Sequence, residues 1–380
     1  MLSNLNEAKR LIPNSGAAPT NVPANVQKNQ QACVEILTIY TWKTLVDTYG
    51  NIPYTEALDF NNTQPKYEDA KTIYASLFTR LDAALAALDP AEAGMGSADI
   101  LYNGNVASWI KFGNSLKLRM ALTIADDDDA KARTAAQQAA PNVFTSVNDR
   151  AQLQFVASPP NTNPLWEDLV QSGRADFVGT SFFIDTLKAL NDPRIGQYFK
   201  PRNGNYVGGV YGTRNTYSRY SAPGVKLESP TLPGVLLSYS EVEFLLAEAV
   251  ERGYAVGGTA ASHYNAAVTA SVIEAGGSTA DAATYLAQPS VAYATATGTY
   301  RQKIGLQKWI ALYDQPVTAW IEWRRLDTPS LTAPALALTD IPVRFPYPST
   351  ELNLNGANNA AAAAAIGGDV VTTKVFWDKF

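Results

Sequence analysis

The stretch WKTLVDTYGNIPYTEAL, Trp42 to Leu58, begins as an amphipathic helix and ends as something no helix can be. Its first half carries apolar residues at the spacing that shares one helical face. Gly50 then frees the backbone to leave the helix, and Pro53 fixes the direction of exit. Tyr49 and Tyr54 flank the break and are expected to anchor the turn against the first helix pair. The stretch therefore reads as a corner between two packed helices.

The same pattern continues on both sides. Upstream, QKNQQACVEILTIYTWKTLVDTY (27–49) puts Cys33, Ile36, Leu37, Tyr40 and Leu45 on one face. Downstream, YEDAKTIYASLFTRLDAALAAL (67–88) holds a nearly unbroken stripe from Tyr67 through Ile73, Leu77, Leu81 and Leu85 to Leu88. A third helix is predicted over VASWIKFGNSLKLRMALTIA (106–125), and DDDDAKARTAAQQAA (126–140) opens a fourth with carboxylates at the positive end of its dipole. The four Asp lack the alternating ligands and glycine of a calcium loop, so they read as a solvated helix start. Helix returns with SYSEVEFLLAEAVERGY (238–254), ASHYNAAVTASVIEAGG (261–277) and TYRQKIGLQKWIALYDQPVTAWIEWRRL (299–326). The last closes on Trp320, Trp323, Arg324 and Arg325, where guanidinium groups stack on rings.

Residues 158–229 break this regularity. They are rich in Pro, Gly, Asn and Tyr, with one helix candidate from Phe177 to Leu190. Loops of that length in a compact domain are usually functional. Residues 1–25 read as coil after a short helical turn, and the C-terminal end as irregular, first Pro-rich and then Asn- and Ala-rich. The fold class is thus all-α in one domain over 1–380. TPR-like antiparallel helix pairs, at 26–140 and 238–326, pack against the loop-rich part. Small residues such as Ala84, Ala247 and Ala249 suit that stacking, although no strict consensus repeats.

Composition narrows the function. The chain has 380 residues, 46% of them hydrophobic and 17% charged, with a net charge of −5 and no Lys/Arg-rich run, so a nucleic-acid surface is excluded. Cys33 and His263 are the only cysteine and histidine. An internal disulfide, a Cys/His zinc site and a multi-His iron or copper site are excluded, and no metal or cofactor is expected. Nucleophilic catalysis through a histidine would have to use His263, which lies in a helical stretch, and no G-x-S-x-G elbow is present. His263 reads as a satisfied helical residue and Cys33 as a buried inert thiol. There is no signal peptide, lipid-bearing cysteine or membrane span, and the opening MLSNLNEAKRLIPNSG reads as the interior of a longer chain.

Two chemistries remain. Glu241, Glu243 and Glu248 share a helix, and Asp47 and Glu56 flank the corner. Glycoside hydrolysis needs two facing carboxyl groups, but Glu241 and Glu248 are two turns apart and no facing partner is legible. Caps and helix-surface ion pairs account for such residues, and no catalytic residue is assigned. The richer signal is aromatic, with 19 Tyr, 13 Phe and 7 Trp. Tyr198, Tyr206, Tyr211, Tyr217 and Tyr220 interleave with Arg202, Arg214, Arg219 and several Asn. Rings stack on the C–H faces of a sugar, while Asn and Arg hydrogen-bond its hydroxyl fringe. The plainer alternative is that these tyrosines anchor the loop to the body. Trp166 is the leading loop tryptophan, and the other tryptophans mostly sit at helical spacing and read as core. The expected ligand-binding set is Trp166, Tyr206, Tyr211, Tyr217 and Tyr220, with Arg174 and Asn61 as polar contacts.

Five stretches together resemble the SusD/RagB-like outer-membrane nutrient-binding lipoproteins of Bacteroidetes. WKTLVDTYGNIPYTEAL is similar to the family's helix-then-YGDIPYSEAL corner, and WIKFGNSLKLRMALTIA to its W-x-K-F-x-N-S-L-K-L-R helix. PGVLLSYSEVEFLLAEAVERGY, QKWIALYDQPVTAWIEWRRLDTP and IPVRFPYPSTELNLN complete the likeness, in the family's order, from Trp42 to Asn355. Asn51 stands where the family often has Asp, and Phe376-Trp377 where Trp-Trp is frequent.

The resemblance implies a cell-surface lipoprotein of a Gram-negative outer membrane, held by an N-terminal lipid anchor that is missing from this chain. It implies capture of a glycan or oligosaccharide as the lid of a SusC-like TonB-dependent transporter, without catalysis. The alternatives are the same fold capturing peptides or another nutrient, and a helical glycosidase using Asp47 or Glu56. The shared motifs lie on helices and corners, so no site residue carries over from the family.

Overall fold

The chain is described by a computed structural model over residues 1–16 and 20–380. Helix α1 (Leu2–Leu11) packs on helix α2 (Ala24–Tyr49), with Lys9 paired to Glu35. Helix α1 replaces most of the coil expected there. At the corner, Gly50 has φ 78° and its N–H donates to Val46 O at 2.8 Å. The chain then extends as β1 (Ile52–Pro53), antiparallel to β2 (Tyr67–Glu68). Tyr54 is buried and meets Trp42 edge-on with ring centres 5.1 Å apart, and Tyr49 meets Phe345 edge-on with ring centres 6.1 Å apart. Asp69 caps helix α3 (Ala70–Ala87), accepting from Thr72 N–H at 2.8 Å.

Helices α4 (Val106–Thr123) and α5 (Asp129–Ala139) form the next pair. One core joins Ile36, Ile39, Leu77, Phe112 and Leu116 from α2, α3 and α4. Helices α7 (Tyr239–Glu251) and α8 (Ala260–Ala275) make the most extensive pairing, and α7 also contacts α4. A short α9 (Thr279–Leu286) packs on α8. Residues 299–326 form two helices rather than one, α10 (Tyr300–Ala311) and α11 (Pro316–Leu326), because Pro316 cannot sit inside a helix but suits its first turn. The C-terminal end is less irregular than expected. Helices α12 (Ser349–Leu354) and α13 (Gly356–Ala365) form there, the latter on an alanine run of high helix propensity. Among the described residues, no helix is long and apolar enough to cross a membrane.

Buried charge ties the pairs together. Arg119 of α4 reaches Glu241 of α7 through two hydrogen bonds of 2.7 and 2.6 Å. Arg325 of α11 makes the same fork to Glu248 of α7, at 2.5 and 2.6 Å, and also reaches Glu322 at 2.6 Å. Glu241 and Glu248 were expected as caps or helix-surface ion pairs; instead they are buried against arginines from other helices. The Asp run does open a helix, with Asp128 as cap and Asp129 exposed in the first turn, but its first two carboxylates are not merely solvated. Asp126 pairs with Arg252 and Arg301, Asp127 with Lys71 and Lys379, and Asp128 caps α5.

The loop-rich excursion leaves and returns at one point. Strand β3 (Ala151–Leu153) pairs antiparallel with β4 (Gly234–Leu237), so residues 154–233 spring from a closed base. Helix α6 (Ser181–Ala189) lies within it and buries Phe183, Ile184 and Leu187 against Tyr198, Phe199, Ala275 and Ile310. The excursion is therefore docked on α8 and α10.

Candidate aromatic groove

Adjacent residues on a helix point about 100° apart, so Phe182 and Phe183 cannot both face the core. Phe183 is buried, and the half-buried Phe182 faces outward along α10. There its ring meets Trp309 at 5.8 Å, inclined by 76°. Phe183 braces Trp309 from below at 4.8 Å, and Tyr313 stacks on Phe183 at 4.9 Å. Trp309 is thus held by edge contacts on rigid helices and stays half-buried.

Two glycines bring the excursion onto this platform. A Cβ at Gly208 would lie 2.3 Å from Ser181 Cα, so only glycine lets the strand run across the start of α6, where Ser181 N–H donates to Gly209 O at 2.7 Å. At Gly212, with φ +75°, a Cβ would lie 2.3 Å from Pro334. Between them Tyr211 donates its hydroxyl to Thr332 O, joining the excursion to the loop after α11. That loop is pinned at both ends by α11: Trp323 Nε1 donates to Pro329 O at 2.9 Å and Trp320 Nε1 to Pro342 O at 2.8 Å.

The result is a groove of about 450 Å³ with Phe182, Tyr211 and Trp309 as its aromatic wall. Ala333, Pro334 and Leu338 add apolar lining, and Thr180, Thr332 and Thr339 add hydroxyls. Leu338 is 100% exposed and Leu336 83%, an open apolar margin. Asp340 is the sole charged residue lining it. A mostly apolar cleft with a few convergent polar groups is the usual form of a small-molecule site.

Of the seven residues expected from the sequence, Tyr211 lines this groove. Tyr206 is half-buried against the Phe183–Tyr198 cluster. Tyr217 is exposed in a short turn that ends at the half-buried Tyr220. Trp166 is half-buried in the Pro164–Trp166 turn, which lies against the 225–228 turn. Arg174 is exposed and pairs with Asp176. Asn61 sits beyond the opening corner, its amide 3.2 Å from Asp59. The structure therefore does not gather the seven into one site. Phe182 and Trp309 were not among them. The adjacent phenylalanines were the available signal for Phe182, and Trp309 is half core and half wall.

The other candidates for chemistry are structural. Asp47 is fully buried and accepts from Tyr74 OH at 2.6 Å and Trp377 Nε1 at 3.0 Å, besides pairing with Lys43. Glu56 closes the loop after the corner by accepting from Lys66 N–H at 2.9 Å. His263 Nδ1 lies 2.7 Å from Glu243 and Nε2 lies 3.1 Å from Gly257 O. Burial pushes the Cys33 thiol up to about 12. Arg324 stacks over Trp320, 3.6 Å from the ring centre. Among the described residues, no group of three or more His, Cys, Asp or Glu is placed to hold a metal ion.

Residues 1–348 match the SusD-like family described as "Starch-binding associating with outer membrane". Solved structures agree over nearly the whole chain. A SusD homologue from Bacteroides uniformis is 27% identical with a TM-score of 0.86, covering 100% of this chain and 85% of its own. A chitin-binding SusD homologue from Flavobacterium johnsoniae is 27% identical with a TM-score of 0.84, over 99% and 85%. A further chitin-binding protein is 28% identical with a TM-score of 0.84, over 100% and 85%. No curated protein matches the chain. The TPR-like helix pairs, the corner at Gly50 and the match over residues 1–348 place this chain in the SusD-like family of the Bacteroidetes outer membrane.

Proposed function

We propose that this protein is a non-catalytic, cell-surface glycan-binding lipoprotein that passes an oligosaccharide to a SusC-like TonB-dependent transporter. The observation that carries the binding reading is the braced Phe182–Trp309–Tyr211 wall, an aromatic surface in a groove that threonine hydroxyls also line. Pyranose rings present C–H faces to such a wall and hydroxyls to such threonines. Rigid aromatics lose little freedom on binding, so their contact area turns efficiently into affinity. The chitin-binding relatives support a glycan as cargo, and the family's description supports outer-membrane association; delivery to a transporter follows from the family resemblance of the sequence. The binding set we propose is Phe182, Trp309 and Tyr211, with Tyr217 and Tyr220 on the same excursion as flanking contacts.

Non-catalysis is supported by the state of the carboxylates. Asp340 stands alone along the groove, whereas glycoside hydrolysis uses two facing carboxyl groups. Glu241, Glu248 and Asp47 are engaged in buried pairs.

Isothermal titration of the purified protein against starch-type and chitin-type oligosaccharides tests the reading. Binding to at least one series, with no new reducing ends after long incubation, is expected. Silence toward glycans with binding to peptides would move the cargo to another class. Reducing-sugar release would make the protein an enzyme.

A further inference from the structure

At the base of the excursion, beside β4, lies a cavity of about 110 Å³ that shares no lining residue with the aromatic groove. Arg150, which precedes β3, Lys226 of the excursion and Glu274 of α8 line it, with Asp314 and Gln315 from the link between α10 and α11. Two cations and two carboxylates thus border one small space, yet none of these side chains pairs with another. Among the described residues, no side-chain hydrogen bond or ion pair engages Arg150 or Asp314. Lys226 Nζ donates to the Glu274 backbone carbonyl rather than to a carboxylate. The charges still act on one another, Asp314 and Glu274 on Lys226, and Arg150 and Asp314 on Glu274.

Two acceptors at this cavity are orphaned. Glu274 Oε2 accepts from the Ser240 hydroxyl at 2.6 Å, but Glu274 Oε1 is buried without a donor, and so is Oε1 of the buried Gln315. A buried acceptor without a donor carries its full desolvation penalty. Glu274 is also placed badly for a carboxylate, because α8 ends at Ala275 and the negative end of its dipole lies there. Burial raises the Glu274 carboxyl above its ordinary value and lowers the Lys226 ammonium below its own. Unmet polar groups and shifted charges gathered in one place are the mark of a binding site.

We propose that this cavity binds a small zwitterion, an α-amino acid the size of glycine or alanine. Its carboxylate takes Arg150 and Lys226, and its ammonium donates to Glu274 Oε1, Gln315 Oε1 and Asp314. A simple anion would lie against two carboxylates and a simple cation against two cations, so the complement of this lining carries both signs. The size agrees, because a cavity of about 150 Å³ takes a benzene ring, and glycine and alanine are slightly smaller. Lys226 comes from the excursion and the other groups from the frame, so the bound amino acid bridges the two and stabilises the fold by mass action. The site is independent of the glycan reading.

Thermal melts and isothermal titration of the purified protein with glycine, L-alanine, L-phenylalanine, acetate and methylammonium test it. Glycine and alanine are expected to raise the melting temperature saturably. Acetate and methylammonium, each one half of the ligand, are expected not to do so at the same concentration, and phenylalanine is too large. Arg150 and Asp314 are half-buried, so Arg150→Ala and Asp314→Asn spare the core, and a melt without ligand checks that each folds. Each is expected to weaken glycine binding on the order of tenfold, as the loss of one charged hydrogen-bond partner does. Glu274→Gln, which keeps an acceptor for Ser240, is expected to weaken it likewise. No response to glycine or alanine means that the cavity holds water alone and overturns the proposal. An equal response to acetate or methylammonium, equal binding of phenylalanine, or affinity unchanged in both Arg150→Ala and Asp314→Asn overturns it as well. None of these outcomes bears on the oligosaccharide titrations.

Discussion

Glu322 sits between two buried cations, accepting from Lys308 Nζ at 2.6 Å and Arg325 Nη2 at 2.6 Å. Burial alone would raise its carboxyl, but Arg325 and Lys308 outweigh that and hold it well below the usual carboxylate range. Its share of the stability is therefore present above the unfolded value, near pH 4.3, and is lost as pH falls through the lower folded value. Glu322→Ala leaves the buried Lys308 without its direct partner and is expected to cost about 3–5 kcal/mol in urea unfolding. His263 works in the opposite direction. Burial lowers its pKa, yet its hydrogen bonds to Glu243 and to Gly257 O, with the Glu243 charge, together outweigh burial and the net shift is upward. Its contribution is complete below the unfolded value, near pH 6.5, and disappears as pH rises through the folded value. Melting temperatures of the wild type should accordingly lose a stability increment above neutrality that His263→Gln lacks; identical profiles would exclude the Glu243 pairing. That Glu241 and Glu248 are buried was not legible from spacing along one helix, because Arg119 and Arg325 reach them from others.

At the scale of elements, periodicity made α2, α3, α4, α7 and α8 readable, since each buries a stripe at the helical interval. Helix α1 escaped because none of its residues is buried, and the 299–326 segment divided at Pro316, whose position alone does not distinguish a kink from a new start. The groove was less legible for a different reason. Its wall joins Phe182, Tyr211 and Trp309 with Thr332, which are far apart in the chain and share no local pattern. A Tyr-rich loop signals that something docks, but the docking partner comes from α10 and α11. Gly208 marks where that docking is tightest. Gly208→Ala drives a Cβ into Ser181 and is expected to destabilise by about 1–3 kcal/mol. Ligand affinity should fall with it, because Tyr211 follows three residues later. An unchanged melting temperature would mean that the excursion does not rest on α6.

Across the whole molecule, the helix pairs act as a frame that holds one irregular excursion by its β3–β4 base and presses it onto α10. The resemblance read from five scaffold stretches and the match over residues 1–348 describe that frame. The function proposed above puts cargo recognition on the surface where excursion, α10 and the loop after α11 meet. The most direct test is a crystal structure of the protein with the tightest-binding oligosaccharide of the titrated series. The account predicts a sugar ring lying face-on to the Trp309 indole, its carbons roughly 4 Å from the ring, with Tyr211 and Phe182 beside it. A sugar seated on Trp166 or at the Gly50 corner, with the Trp309 groove empty, would contradict it.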